Sequence, residues 1–235
     1  MHEEHLVATD SDSLEEKLYS LQLIFLVDIS GSMQEKDTDP EGTGTRGMLG
    51  PYWTRYDNMV KLLKNMVTQL WQYDSNSEIP CYFFNDKVEC EVFKDPKKLL
   101  ATIRTHKPSG TTALGDALYR AAAENLNDQE NFLFIVFTDG VPNNVDQVFQ
   151  FLEHEIYWKD RSGNRLNVLF VRFGNDKGAI HFLSDLDDHP LFGGNVDMKS
   201  TAAAYYLGPK LLVLNGIFEH LEDIPEFKAE LDKRP

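Results

Sequence analysis

A continuous apolar run followed at once by acid and hydroxyl residues constrains the fold of this chain more than any other feature. Residues 23–27 read Leu-Ile-Phe-Leu-Val, and residues 28–32 read Asp-Ile-Ser-Gly-Ser. An unbroken apolar run is typical of a central strand in a parallel sheet that helices cover on both faces. The polar residues then lie at the carboxyl end of that strand, where open α/β sheets bind ligands. We therefore expect Asp28, Ser30 and Ser32 to lie at a functional edge of the sheet.

These three residues have the chemistry of a hard-cation site. Oxygen ligands suit Mg²⁺ or Mn²⁺, and Mg²⁺ requires six of them in a nearly octahedral shell. One carboxylate and two hydroxyls do not complete that shell, so other segments have to contribute. The pattern alone is equally consistent with Asp28 or Ser30 capping the next helix, and both readings stay open at this point.

Two later segments carry similar polar residues. Residues 109–118, Ser-Gly-Thr-Thr-Ala-Leu-Gly-Asp-Ala-Leu, open a helical pattern, and residues 132–140, Phe-Leu-Phe-Ile-Val-Phe-Thr-Asp-Gly, form a second apolar run that ends in an acid. With these three segments in this order, the chain resembles the von Willebrand factor A domain family and its metal-ion-dependent adhesion site. The resemblance extends over about residues 20–220 and implies the fold of that family.

The resemblance also implies a set of metal ligands. They are Asp28, Ser30, Ser32, Thr112 and Asp139. Thr112 is preferred to its neighbour Thr111 because the family usually places this threonine three residues before a glycine, here Gly115. The family pattern implies direct coordination by the two serines and one further group, with the others acting through water. The implied cation is Mg²⁺, with Mn²⁺ and Ca²⁺ as alternatives, and its open position would take an aspartate or glutamate of a protein partner.

Strands and helices alternate along the rest of the chain, as in a doubly wound α/β fold. We predict a Rossmann-like, mostly parallel sheet with one antiparallel edge strand and helices on both faces. The strands at 23–27 and 132–137 are expected to be central neighbours, with a hairpin at 79–93 on one side and the strand at 166–173 on the other. An apolar stripe predicts a helix at 57–73 that packs against the sheet.

The expected organisation is a single domain over residues 20–221, after a polar lead-in at 1–19 and before a tail at 222–235. Residues 34–55 are predicted to form a long loop beside the metal site. Tyr52, Trp53 and Tyr56 near its end either rim a binding surface or pack the loop onto the domain, and the sequence does not choose between these roles.

The two cysteines give a test of register. A hairpin centred between Asn85 and Asp86 would place Cys81 opposite Cys90, with about 4.5 to 5.5 Å between Cα atoms. We expect free thiols, because the expected compartment is the reducing cytoplasm.

Composition narrows the classes of partner. The formal net charge of −15 argues against nucleic acid and anionic membranes, no apolar run is long enough to span a bilayer, and the first residues lack a signal peptide pattern. Residues 173–175 and 182–187 resemble intracellular bacterial family members linked to tellurium resistance and chemical stress. We therefore expect a cytoplasmic protein.

The leading hypothesis is a metal-dependent protein–protein interaction module without enzymatic activity. One alternative is a Mg²⁺-dependent phosphohydrolase, and another is a vestigial or purely structural metal site. Phosphotransferases of the haloacid dehalogenase type need a second aspartate as acid and base at the position of Ser30, and a neutral hydroxyl does not transfer protons in that way near neutrality.

Overall fold

The computed structural model describes residues 18–37, 53–73, 76–159 and 165–217. The strands in these ranges are β1 (Leu21–Asp28), β2 (Ile79–Phe84), β3 (Val88–Phe93), β4 (Asn131–Thr138), β5 (Leu166–Arg172) and β6 (Val196–Ser200). The α-helices are α1 (Arg55–Leu70), α2 (Pro96–Thr105), α3 (Leu114–Asn125), α4 (Val145–Leu152), α5 (Lys177–Asp187) and α6 (Thr201–Asn215). The first 17 residues of the predicted lead-in, most of the predicted loop and the predicted tail lie outside the described residues.

All of these strands belong to one sheet, in the order β3-β2-β1-β4-β5-β6. β1 runs parallel to both β2 and β4, while β3 pairs with β2 in the antiparallel direction and forms one edge. The predicted fold and the predicted neighbours of β1 are therefore confirmed. The order reverses between β1 and β4, because the chain builds β2 and β3 on one side of β1 and then continues on the other. Ligands of open α/β sheets bind at such a reversal, outside the carboxyl ends of the strands.

The core has two halves, one on each face of the sheet. Leu23, Phe25 and Val27 point towards α1, α2 and α6, whereas Ile24 and Leu26 point towards α3, α4 and α5. Every residue of β1 is buried, as is every residue of β4 except Asn131. Burial of β1 and β4 on both faces explains the two unbroken apolar runs in the sequence.

Helix α1 confirms the predicted apolar stripe but begins two residues earlier, at Arg55. Its start is fixed by a capping box: Thr54 Oγ1 accepts a hydrogen bond from the Asp57 backbone (2.9 Å), and the Thr54 backbone donates to Asp57 Oδ2 (3.2 Å). Tyr56 is buried, and its hydroxyl donates a hydrogen bond to Ile103 O at the end of α2. This aromatic residue therefore packs in the domain and does not rim a binding surface. Tyr52 lies outside the described residues.

The predicted cysteine register is wrong by one residue. Three residues connect β2 to β3 instead of two, since Asn85 N donates to Lys87 O (2.9 Å) and Phe84 pairs with Val88. A shift of one residue moves side chains to the other face of a sheet. Cys81 therefore lies opposite Glu91 and packs in the core half of α1, whereas Cys90 lies opposite Tyr82 and packs against the other half. Both thiols are free.

Two of the helices are irregular. Helix α4 continues as a π-helical segment over Glu153–Lys159, and the closing helix α6 starts at Thr201. Helix α6 is kinked where Gly208 adopts a φ of 66° immediately before Pro209. None of the described helices is both long and apolar enough to cross a membrane.

Candidate metal centre

Asp28 is the last residue of β1, at the reversal of strand order, and its side chain contacts the end of the neighbouring strand β4. Its carboxylate is fully buried. Oδ1 accepts a hydrogen bond from the Ser30 backbone (2.8 Å), and Oδ2 accepts one from Thr138 Oγ1 at the end of β4 (2.7 Å). Both oxygens therefore have fixed orientations, although each keeps a lone pair for a further contact.

The two serine hydroxyls continue from Asp28 towards Asp139. Ser30 Oγ and Ser32 Oγ lie 3.1 Å apart, and Ser32 Oγ donates to Asp139 Oδ1 (2.7 Å). A single 3₁₀ turn, Gly31–Gln34, brings the second serine back beside the first. Gly31 permits this turn to approach the neighbouring loop, since its N–H donates to Gly110 O (3.0 Å) and an added Cβ would lie 3.2 Å from that oxygen.

The adjacent threonines have different surroundings. Thr111 is exposed, and its hydroxyl donates to Asp86 Oδ1 (2.6 Å) and accepts from Asn143 Nδ2 (2.7 Å). Thr112 is buried and is held by its backbone, which donates to Asn143 Oδ1 (3.0 Å) and accepts from Asn143 N (2.9 Å). Among the described residues no hydrogen bond joins the Thr112 side chain to the other predicted ligands. The structure thus links four of the predicted residues by hydrogen bonds and places the threonine in a neighbouring loop.

Arg55 is part of this centre although the sequence analysis did not select it. Its side chain is only 5% exposed, and Nη1 donates to Asp139 Oδ2 (2.9 Å). A basic residue in the first turn of a helix is unfavourable for the helix dipole, but the predicted helix began at residue 57, so this mismatch is visible only with the start of α1 at Arg55. The acceptor Asp139 lies 84 residues further along the chain, so local patterns do not reveal the pair.

A comparison with protein families identifies the family of this chain. The model of the von Willebrand factor type A domain matches residues 23–141, which are 119 of the 235 residues. The chain belongs to the von Willebrand factor type A domain family. This match includes Asp28 at the end of β1 and the loops that follow β1, α2 and β4, which contain the other predicted ligands.

Solved structures agree on the fold of this von Willebrand factor A (vWA) domain. The SpRpn10 VWA domain is similar with a TM-score of 0.52 and 11% identity, over 80% of this chain and 95% of that one. The manganese-loaded Plasmodium vivax TRAP protein is similar with a TM-score of 0.50 and 18% identity, over 83% of this chain and 74% of that one. At these identities the likeness shows the fold. Curated proteins gave no significant match.

The electrostatics of this vWA domain centre favour a compensating cation. Burial, and then the neighbouring charge of Asp139, raise the pKa of Asp28 to about 7, against smaller opposing effects of the hydrogen bonds from Ser30 and Thr138. Burial also raises the pKa of Asp139, while hydrogen bonds from Arg55 and Ser32 oppose the rise. Two buried carboxylates therefore repel each other here, with one arginine to offset them.

The donor set fits a small divalent ion. Adjacent ligands of an octahedral Mg²⁺ shell lie about 3 Å apart, since each Mg–O distance is about 2.1 Å. The 3.1 Å between Ser30 Oγ and Ser32 Oγ matches that spacing, and Ser32 directs its proton to Asp139, which leaves a lone pair for a metal ion after the contact with Ser30. No group of three or more His, Cys, Asp or Glu side chains in the described ranges has an arrangement suited to a metal. Any ion at this centre would therefore depend on the hydroxyl oxygens.

Proposed function

We propose that this chain is a metal-dependent protein-interaction module. Asp28, Ser30, Ser32, Thr112 and Asp139 would hold one divalent cation, most readily Mg²⁺. The observation that carries this proposal is the hydrogen-bonded series from Asp28 to Asp139, with two serine oxygens at the spacing of adjacent metal ligands. Many vWA domains mediate contacts between proteins, and this membership supports the choice of a protein partner.

The proposed partner group is an aspartate or glutamate carboxylate. The chain has a formal net charge of −15, so its surface repels acidic groups in general. A bound divalent ion would supply local positive charge and an open coordination position for an oxygen ligand. Ser30 and Ser32 would orient that position, because their own oxygens are fixed by Asp139 and by each other.

Catalysis is not part of this proposal. Ser30 occupies the position at which a phosphohydrolase of the haloacid dehalogenase type needs an acid and base, and both oxygens of Asp28 already accept hydrogen bonds. A chromogenic phosphate ester tests the alternative directly. Metal-dependent hydrolysis that disappears in Asp28→Asn would support the phosphohydrolase instead. The cytoplasmic location and the relation to tellurium-resistance proteins remain predictions.

The surroundings of Thr111 and Thr112 support the choice of Thr112 as the proposed ligand. The Thr111 hydroxyl is already shared between Asp86 and Asn143, whereas Asn143 holds Thr112 through its backbone alone. A side chain that is buried and free of competing hydrogen bonds within the described residues is the better metal ligand. We therefore assign Thr112 as the ligand and Thr111 as part of the support for its loop.

Two measurements test the proposed function. Isothermal titration with MnCl₂ should show one site in the wild-type protein and binding weakened by about 100-fold in Asp28→Ala, with circular dichroism confirming that the variant is folded. Pull-down from the native host should then recover a partner with the wild-type protein in Mg²⁺ but not with EDTA or with Asp28→Ala. A partner recovered equally under all three conditions would mean that this centre does not mediate recognition. Metal binding combined with such a result would indicate a structural ion.

A further inference from the structure

The guanidinium of Arg55 connects the candidate metal centre to the acids that precede the 38–52 segment. On one side, Nη1 contacts Asp139 Oδ2 at 2.9 Å. On the other side, Nε donates to Asp37 Oδ1 (2.8 Å), and Nη2 contacts Glu35 Oε2 (2.8 Å) and Asp37 Oδ2 (2.5 Å). Three carboxylates therefore share one buried cation, and only one of them belongs to the candidate ligand set.

The surrounding backbone is shaped to accommodate this arginine. Gly174, in the loop after β5, has a φ of +72°, and a Cβ added there would lie 2.3 Å from Arg55 Nε. The backbone of Arg55 donates to Glu35 O (2.9 Å), which closes the base of the loop between β1 and α1. The position of Arg55 thus depends on three separate segments, so it is a built feature of the centre.

Both oxygens of Asp139 are occupied in this arrangement. Oδ1 accepts from Ser32 Oγ (2.7 Å) and Oδ2 pairs with the guanidinium (2.9 Å). We propose that Arg55 is a resident cation that shares Asp139 with the divalent ion and lowers the affinity of the centre for it. This inference rests on the metal site of the proposed function. It adds that the chain sets its own metal affinity through a positioning residue outside the family pattern.

Charge determines the direction of the effect. When both are ionised, Asp28 and Asp139 together carry two negative charges, and Arg55 reduces their sum to one, which weakens the attraction for a divalent ion. Glu35 and Asp37 offset the arginine only in part, because their side chains are 60% and 36% exposed and solvent screens them, whereas Asp139 is fully buried. Arg172 also lies close by, donates to Gly174 O and adds charge of the same sign.

Titration of the metal-free protein with MnCl₂, followed by calorimetry and by the electron paramagnetic resonance signal of free Mn²⁺, tests this role. Arg55→Gln keeps an N–H donor for Asp139 but removes the charge, and we expect it to bind Mn²⁺ about tenfold more tightly than the wild-type protein. Asp37→Asn leaves the guanidinium less compensated and should weaken Mn²⁺ binding by about threefold. Arg120→Gln is the matched control, since it removes the same charge from the exposed Arg120–Glu124 pair on α3 and should leave affinity unchanged.

Unchanged or weaker binding by a folded Arg55→Gln variant would overturn the inference while the metal site itself stood. If that variant does not fold, Asp37→Asn decides, and unchanged or tighter Mn²⁺ binding there has the same meaning. Mn²⁺ binding by Arg55→Gln but not by the wild-type protein would support the inference and contradict the proposed function. Absence of binding in both proteins would remove both proposals.

Discussion

Two clusters of carboxylates in this domain have similar pKa shifts but different surroundings. At the candidate centre, burial and Asp139 raise the pKa of Asp28 to about 7. Near β6, burial and Asp197 raise the pKa of Asp187 to about 6. Perturbed acids alone would mark both clusters as functional sites.

The surrounding groups distinguish the clusters. Asp197 Oδ1 pairs with Lys199 Nζ at 2.5 Å, and the charge of this lysine opposes the rise in the pKa of Asp197. No serine or threonine hydroxyl donates to Asp187 or Asp197 within the part of the chain that the structure describes. At the candidate centre, by contrast, hydroxyls donate to both acids, and two serine oxygens lie at the spacing of adjacent metal ligands. Converging neutral oxygens, rather than buried acids, therefore distinguish the candidate cation site.

The largest expected effect is on stability as a function of pH. The folded pKa of Asp28, about 7, lies above the unfolded value of 3.8, so its contribution favours the folded state fully below pH 4 and is lost as the pH rises towards 7. That loss amounts to about 4 kcal/mol at most, and Asp28→Asn should remove it. Urea unfolding of the metal-free protein between pH 4 and 8 measures the change.

The same unfolding measurement in the presence of Mg²⁺ distinguishes the two clusters. A cation beside Asp28 favours its ionised form, so saturating Mg²⁺ should abolish the pH dependence that Asp28 causes. Asp187 contributes a smaller stabilisation that is lost as the pH rises from about 4 to 6. This pH dependence should persist in Mg²⁺ and disappear in Asp187→Asn. Equal effects of Mg²⁺ on both contributions would show that the clusters do not differ as described.

The next effect concerns Mn²⁺ affinity. Asp28→Ala should reduce it by about 100-fold, because the variant loses a carboxylate and leaves Thr138 and the Ser30 backbone without their acceptor. Asp197→Ala removes the same charge from the other cluster and should leave the affinity within about twofold. Calorimetry on both variants makes the comparison direct. Similar losses of Mn²⁺ affinity in the two variants would show that the effect depends only on net charge.

The smallest expected effect separates the two threonines. Thr112→Val should weaken Mn²⁺ binding by about tenfold, since it removes a ligand oxygen at nearly constant volume. Thr111→Val removes only the contacts with Asp86 and Asn143 and should cost less than about threefold. The reverse order would transfer the ligand assignment to Thr111.

Much of the fold could be predicted because its signals are local. The apolar runs of β1 and β4 indicated central strands, and the acids that follow them mark the edge where the strand order reverses. Asp28 and Ser30 could be predicted as candidate ligands for the same reason, since both lie at the end of one apolar strand.

The failures have a different physical origin. Arg55 pairs with an acid 84 residues away, and its site exists only because Gly174 leaves space for it. The cysteine register depends on whether two or three residues form the turn between β2 and β3. A hydrogen bond from Lys87 N to the Asn85 side chain (3.0 Å) stabilises the three-residue turn. Long-range pairing and turn geometry are therefore the parts that sequence patterns did not reveal.

Anomalous diffraction from crystals grown with MnCl₂ would locate a divalent ion bound between the two serines. We expect one strong manganese peak within about 2.5 Å of both Ser30 Oγ and Ser32 Oγ, on the side that faces Thr112. The same crystals of Asp28→Ala should lack that peak. A manganese peak at Asp187 and Asp197 with none between the serines would contradict the proposed metal site.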